Sequence, residues 1–191
     1  MRVLPALLIV IISYYLSGCV SILDASSKGP IVPDPTKRSF GSLIDDRQLK
    51  TITSVNINKA DPLLSKSHIN VHSYNSVILL TGQVPSKELR ELAGETARNI
   101  SRVRQVYNEL EIGPNISFGQ RTKDNWLDTK IDSKLFATRD IQSDRVDVIV
   151  ENNVVYLMGL LTLIQVEKIT DVIRNTKGIT KVVRAIEYIE E

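Results

Sequence analysis

Few side chains in this chain of 191 residues are suited to covalent or metal chemistry, and their spacing argues against most of it. Cys19 is the single cysteine, so no internal disulfide and no thiolate cage can form within one chain. His68 and His72 are the two histidines, and at i, i+4 on a helix they would share a metal ion. Ile69 and Val71 alternate with them, however, which places the segment on a strand facing solvent, where four residues separate the rings by about 13 Å. Asp45-Asp46 and Glu190-Glu191 are adjacent carboxylates in a helix approach and at the end of the chain, positions suited to solvated acid. No glycine-rich phosphate loop, serine elbow or matched nucleophile and base is found. The expectation is a protein without catalytic residues, metal or cofactor.

A different kind of chemistry gathers around Trp126, the one tryptophan. If Asp124 caps a helix running to about Phe136, then Leu127, Ile131 and Leu135 form its buried stripe. At 100° per residue that stripe is centred about 140° from Trp126, so the indole faces outward. Thr129, Lys130 and Ser133 share its face, Lys134 borders it, and Asp128 and Asp132 project from the opposite flank. Arg121 and Lys123 precede the helix and add positive charge. Aromatic plus lysine suits a lipid interface, where indole sits at headgroup depth and ammonium meets phosphate. The same ring can instead pack on Phe118 in the preceding loop or on another part of the chain, and the residues leave both arrangements open.

The elements that position these groups begin with the N-terminus. Arg2, an apolar run from Ala6 to Leu16, and the small residues Ser17 and Gly18 before Cys19 describe a secretory signal over residues 1–18. The run is too short for a bilayer span, which needs about twenty apolar residues. Residues 24–44 hold three prolines, two glycines and four serines without periodicity, so 19–44 is expected to be a flexible tether.

Beyond it the chain repeats itself. Val71-x5-Val77-x-Leu79-Leu80-x-Gly82 returns 77 residues later as Val148-x5-Val154-x-Tyr156-Leu157-x-Gly159, and Asn75-Ser76 returns as Asn152-Asn153. Val103-x2-Val106-x3-Leu110-x-Ile112 returns as Ile179-x2-Val182-x3-Ile186-x-Tyr188. Each copy reads as helix, strand, tight turn, strand, helix, strand, giving an α+β fold with two helices on a three-stranded mixed sheet, copy one over 45–112, a linker over 113–123 and copy two over 124–191. Ser86 is placed to cap the second helix of copy one; Thr162-x-x-Gln165 matches a capping box in copy two, and Gly178 suits a left-handed helix end. Units of this size are marginal alone and the linker is short, so the copies are expected to pack against each other. Their net charges of about +1 and −1 offer no field for nucleic acid. The basic set Arg98, Arg102, Arg104, Lys177, Lys181 and Arg184 lies near helix ends and is expected to complement their dipoles.

Two resemblances follow. Leu16-Ser17-Gly18-Cys19 resembles the lipobox of bacterial lipoproteins, which implies cleavage before Cys19 and its acylation, palmitate included; Val20, in place of an inner-membrane-retaining Asp, implies the outer membrane. Val77 to Gly82 with Val103-x-x-Val106, and Val154 to Gly159 with Gly178-Ile179-x-x-Val182, resemble the BON domain, and with the lipobox they resemble the dual-BON-domain lipoproteins of Gram-negative bacteria. That family implies a periplasm-facing lipoprotein supporting envelope integrity. It implies that the first helix of the second domain, tryptophan included, binds anionic phospholipid such as phosphatidylglycerol or cardiolipin and enriches the protein at the division site. The alternative is a protein-interaction module docking an outer-membrane assembly or cell-wall remodelling partner. Where the family favours glycine before the second motif, copy one has Arg102, so a strained helix end is expected there.

Overall fold

The computed structural model describes residues 38–139 and 141–190, which lie in a compact unit spanning Pro35–Glu191. Cys19, the signal segment and most of the tether lie outside the described residues. Copy one runs α1 (Phe40–Ala60), α2 (Pro62–Lys66), β1 (His68–Tyr74), β2 (Val77–Val84), α3 (Lys87–Arg98), β3 (Gln105–Asn108) and β4 (Glu111–Ile112). Copy two runs α4 (Phe118–Ala137), a 3-10 turn (Ser143–Arg145), β5 (Val146–Glu151), β6 (Val154–Leu161), α5 (Leu163–Arg174) and β7 (Lys181–Tyr188). No helix among the described residues is long and apolar enough to cross a membrane.

The first helices start earlier than the apolar pattern predicts. Ser39 caps α1, accepting from the Ser42 amide at 3.1 Å, and Ser117 caps α4, accepting from Gln120 at 3.2 Å. Residues 40–44 therefore belong to a helix rather than to the tether, and residues 118–123 to a helix rather than to the linker. Both caps open the same tripeptide, Ser-Phe-Gly at 39–41 and again at 117–119, a repeat that the strand pattern does not reveal because Phe40 and Phe118 both point into solvent. In copy one Asp61 ends α1 and caps α2, with Pro62 at the first helical position where its missing N–H costs nothing.

Each hairpin turns through two residues at positive φ, Asn75 (50°) with Ser76 (64°) and Asn152 (49°) with Asn153 (62°), as a two-residue hairpin turn requires. The glycine that closes the motif has a steric cause: a Cβ on Gly82 would stand 1.9 Å from the His68 carbonyl oxygen, and one on Gly159 2.5 Å from that of Arg145. The central strands β2 and β6 pair antiparallel with β1 and β5 on one side and parallel with β3/β4 and β7 on the other. Both are buried along their whole length, which accounts for the near-continuous apolar runs Val77 to Leu80 and Val154 to Met158.

Three cores result. One face of each sheet carries its own helices, around Leu49, Ile57, Ile78, Leu80 and Ala93 in copy one and Ile131, Leu135, Val155, Leu157 and Ile169 in copy two. The other faces meet, joining Tyr74, Val77 and Leu79 to Val154, Tyr156, Met158, Leu160 and Ala185 in a third core. The copies do pack on each other, and they do so with near two-fold reciprocity. The turn amide Asn75 Nδ2 donates to Glu187 of the last strand of copy two at 2.8 Å, while Asn152 Nδ2 donates to Glu111 of copy one at 2.9 Å. Tyr74 OH donates to the Arg145 carbonyl at 3.0 Å, and Glu151 accepts from Asn70 and Gln83.

The expected caps of the later helices are present: Ser86 accepts from Leu89, Thr162 and Gln165 form the capping box, and Gly178 has φ 102°. Arg102 takes the left-handed backbone that glycine takes in copy two, with φ 75°. A non-glycine residue there costs roughly 1 kcal/mol. Its guanidinium pairs with Asp45, Arg104 pairs with Glu187, and Arg184 with Glu167, so these three cations bind carboxylates rather than helix ends.

Candidate functional site

Asp124 does not cap α4, as the sequence pattern suggests, but lies seven residues inside it and is only 3% exposed. Its carboxylate accepts from the amides of Asn152 and Asn153 at 2.9 and 3.0 Å and from Gln120 Nε2 at 2.8 Å. Asp46 does the same in copy one, accepting from Asn75 and Ser76 at 2.8 and 2.9 Å and from Ser73 Oγ. It is buried, not solvated acid in a helix approach. One carboxylate thus pins each hairpin turn to the first helix of its copy, and in copy two this holds α4 at a set rotation. With Leu127, Ile131 and Leu135 inward, the opposite arc is presented to solvent.

Trp126 is 59% exposed on that arc, with Lys130 Nζ 4.6 Å from the ring centroid in a cation–π contact. Two aromatic residues absent from the sequence-based reading of this face stand with it: Phe118 (82% exposed) in the first turn and Phe136 (84%) in the last. At 100° per residue both project about 80° to one side of Trp126, and Lys123 about 60° to the other. Between them Thr122, Thr129 and Ser133 donate their hydroxyls to the carbonyls four residues back at 3.0, 3.0 and 2.8 Å. The donor of each hydroxyl is satisfied within the helix, which lowers the cost of taking this face out of water. The arc carries three aromatic rings and two lysines and no carboxylate.

Two of the expected residues stand elsewhere. Lys134 is half-buried and donates to Thr176 Oγ1 at 2.9 Å, so it fastens α4 to the turn after α5. Arg121 falls on the flank of Asp128 and Asp132, where it lines a cleft, with its guanidinium 3.4 Å from the Ile116 carbonyl. Helix rotation alone places Arg121 there once the helix is known to begin before it. Phe118 was detectable in principle from the repeated Ser-Phe-Gly, and Phe136 from rotation along the expected helix.

The cleft, of about 780 Å³, lies between α4, β5 and β1 and is lined by His68, His72, Asp128, Asp132, Asp147 and Glu151 among others. His68 and His72 sit on β1 as expected, but they face this cleft rather than open solvent. Burial, with Lys50 nearby, lowers His72 to about 4, which keeps it neutral at physiological pH. Burial, with Asp132 one turn on, raises Asp128 to about 6. Among the described residues no group of three or more His, Cys, Asp or Glu is arranged to hold a metal ion.

Several known proteins are similar to this chain. The outer membrane lipoprotein DolP of Haemophilus influenzae is 33% identical over 178 residues, covering 92% of this chain and 91% of that one. A protein of Actinobacillus pleuropneumoniae described as a 21 kDa hemolysin is 37% identical over 153 residues, 80% of this chain and 79% of its own. Among solved structures, the C-terminal domain of CdsD, a structural protein of the type III secretion system of Chlamydia trachomatis, aligns with 71% of this chain and 96% of its own at 9% identity and a TM-score of 0.32. The BON domain matches twice, at residues 45–114 and 123–190, on the two copies that share the buried seam, and the chain therefore belongs to the BON-domain family.

Proposed function

We propose that this protein is a non-enzymatic lipoprotein of the outer membrane, anchored through acylated Cys19 and facing the periplasm. In this reading copy two contacts anionic phospholipid through α4 and thereby supports envelope integrity, with enrichment at the division site. The description of the Haemophilus relative as an outer membrane lipoprotein supports the location. The observation that carries the contact is the acid-free aromatic arc of α4: Trp126 stacked under Lys130, flanked by Phe118, Phe136 and Lys123. Exposed apolar groups of this size on a helix rimmed by lysine are the composition of an interfacial helix, with the indole at headgroup depth and ammonium groups on lipid phosphate. Two or more acyl chains would make attachment permanent, so the helix contact sets orientation rather than residence.

Protein lacking residues 1–19 is expected to sediment with phosphatidylglycerol or cardiolipin vesicles and to blue-shift its tryptophan emission. Trp126→Ala should weaken that binding by roughly tenfold, the loss of about half a buried aromatic side chain. Equal binding to uncharged vesicles, or an unaffected Trp126→Ala variant, would reject the mechanism. A protein partner from outer-membrane assembly or cell-wall remodelling would use the same exposed rings. Photocrosslinking from position 126 separates the two readings, since adducts form with lipid in one and with a single protein in the other.

A further inference from the structure

The cleft beside α4 puts a set of carboxylates at the margin of the arc just described. Asp128 and Asp132 lie one turn apart on the flank of the helix, like charges at i, i+4 that repel when both are ionised. Phe136, which belongs to the aromatic arc, lines the same cleft, so whatever surface meets that ring also approaches these two acids. The Asp128 Oδ1 atom is buried and has no hydrogen-bond partner.

The groups facing them come from several elements. On α4 itself, Arg121 lies a turn or more away, and Asp124 is taken up by the turn amides and Gln120. On β5, Glu151 accepts from Asn70 and Gln83, and Asp147 lies 3.8 Å from Arg38, which also pairs with Asp46. On β1, the His68 ring is 3.4 Å from Glu151, and His72 is neutral. The Lys50 charge of α1 acts on His72 and Asp147. Arg38 thus serves Asp46 and Asp147 and Arg121 donates to the Ile116 carbonyl, and among the described residues no hydrogen bond from either reaches Asp128 or Asp132.

We propose that docking of α4 on an anionic bilayer is proton-linked: Asp128 and Asp132 hold the aromatic arc off the lipid surface while ionised and release it when protonated. This rests on the reading of α4 as a lipid-contacting helix and adds its regulation. The physical reasons are two. A carboxylate brought to a negative surface is repelled by it, at about a fivefold cost in binding per charge. Docking also covers the mouth of the cleft and removes remaining water from acids that burial already disfavours in the ionised state. Burial raises Asp128 to about 6, and it raises Asp132 and Asp147 in the same direction. The sign follows directly: the protonated form binds, so binding strengthens as pH falls through this range and weakens as it rises. The negative surface also concentrates protons, so the switch acts first where anionic lipid is dense.

The test uses the full acylated chain reconstituted in vesicles of phosphatidylglycerol and phosphatidylcholine, with quenching of Trp126 by brominated acyl chains as the readout of docking. Trp126 is the sole tryptophan, so the signal has one source. Between about pH 7.5 and pH 5.5 the docking equilibrium is expected to shift roughly tenfold toward the bilayer. The isosteric double variant Asp128→Asn with Asp132→Asn should dock at the higher pH as the natural chain does at the lower, with the slope abolished. Asp128→Asn alone should lose about half of it. His68→Gln should keep the full slope, which assigns the titration to the acids. A wild-type slope retained in the double variant, whose fold is checked by near-ultraviolet circular dichroism, would overturn the proposal, as would natural protein that docks equally at both pH values. Absence of quenching at either pH in every variant would instead remove the lipid reading on which it depends.

Discussion

The first helices of the two copies, α1 and α4, are built on one plan and put it to different uses. Both open with Ser-Phe-Gly, both bury Asp, then a large or β-branched residue every third or fourth position, and both use that Asp to hold a hairpin turn. Their solvent faces then diverge. Gln48 and Ile52 occupy the places of Trp126 and Lys130, so α1 has neither the indole nor the ammonium stacked on it. Arg38 stands before α1, clasped between Asp46, Asp147 and the Tyr74 ring 4.2 Å away, where Ile116 stands before α4. The buried side of a helix is constrained by what it must fill and satisfy, while the exposed side is free to acquire a task. Copy one spends its cation on the seam between copies, and copy two keeps Lys123 and Lys130 on its outward arc.

Substitutions at matched positions sharpen this contrast. The largest effect is expected at the closing glycines. Gly82→Ala forces a Cβ into a carbonyl oxygen at a residue whose φ is already 112°, and should cost about 4 kcal/mol in urea unfolding, whereas Gly159→Ala, with more room, should cost roughly half as much. Equal losses would mean that the two hairpins relax alike and that the backbone difference is inconsequential.

The turn-pinning acids come next. Asp46→Asn and Asp124→Asn each remove a charged acceptor from two backbone amides and should each cost about 2 kcal/mol. Because the copies share a third core, either loss should move one common unfolding transition rather than split it. Two separated transitions, with the unmutated copy unmoved, would show that the seam does not couple the copies. The smallest effect is a gain. Thr53 is fully buried with its hydroxyl unpartnered at the place where copy two has Ile131, so Thr53→Val should stabilise by about 1 kcal/mol, read from the same urea curves.

Much of the framework was legible in the residues. Alternation with Asn-Ser and Asn-Asn located both hairpins, and Ser86, Thr162 with Gln165, and Gly178 marked helix ends through local bonds between residues close in sequence. Arg102 in place of a glycine announced a strained position, and it has φ 75°. The starts of α1 and α4 were not legible, since their first turns face solvent and carry no apolar period, and the aromatic residues there resemble loop anchors. For the same reason Phe118 and Arg121 could not be assigned to a helix face, while Lys134, a border residue by rotation, is drawn inward by a Thr176 hydroxyl that lies 42 residues away.

What sequence by itself determined, then, is the repeat with its strands, turns and helix caps, because each depends on periodicity or on neighbours a few residues apart, while the two arrangements it left open for Trp126 were separated only by the exposure of the ring. Tertiary structure decided the rest. Asp46 and Asp124 find partners 28 to 30 residues away, the seam is assembled from faces of two separate sheets, and Asp128 and Asp132 share their cleft with Asp147 of another element. A carboxylate carries no mark in the chain of whether water or a backbone amide will meet it; that is set only when distant segments close around it and exclude solvent.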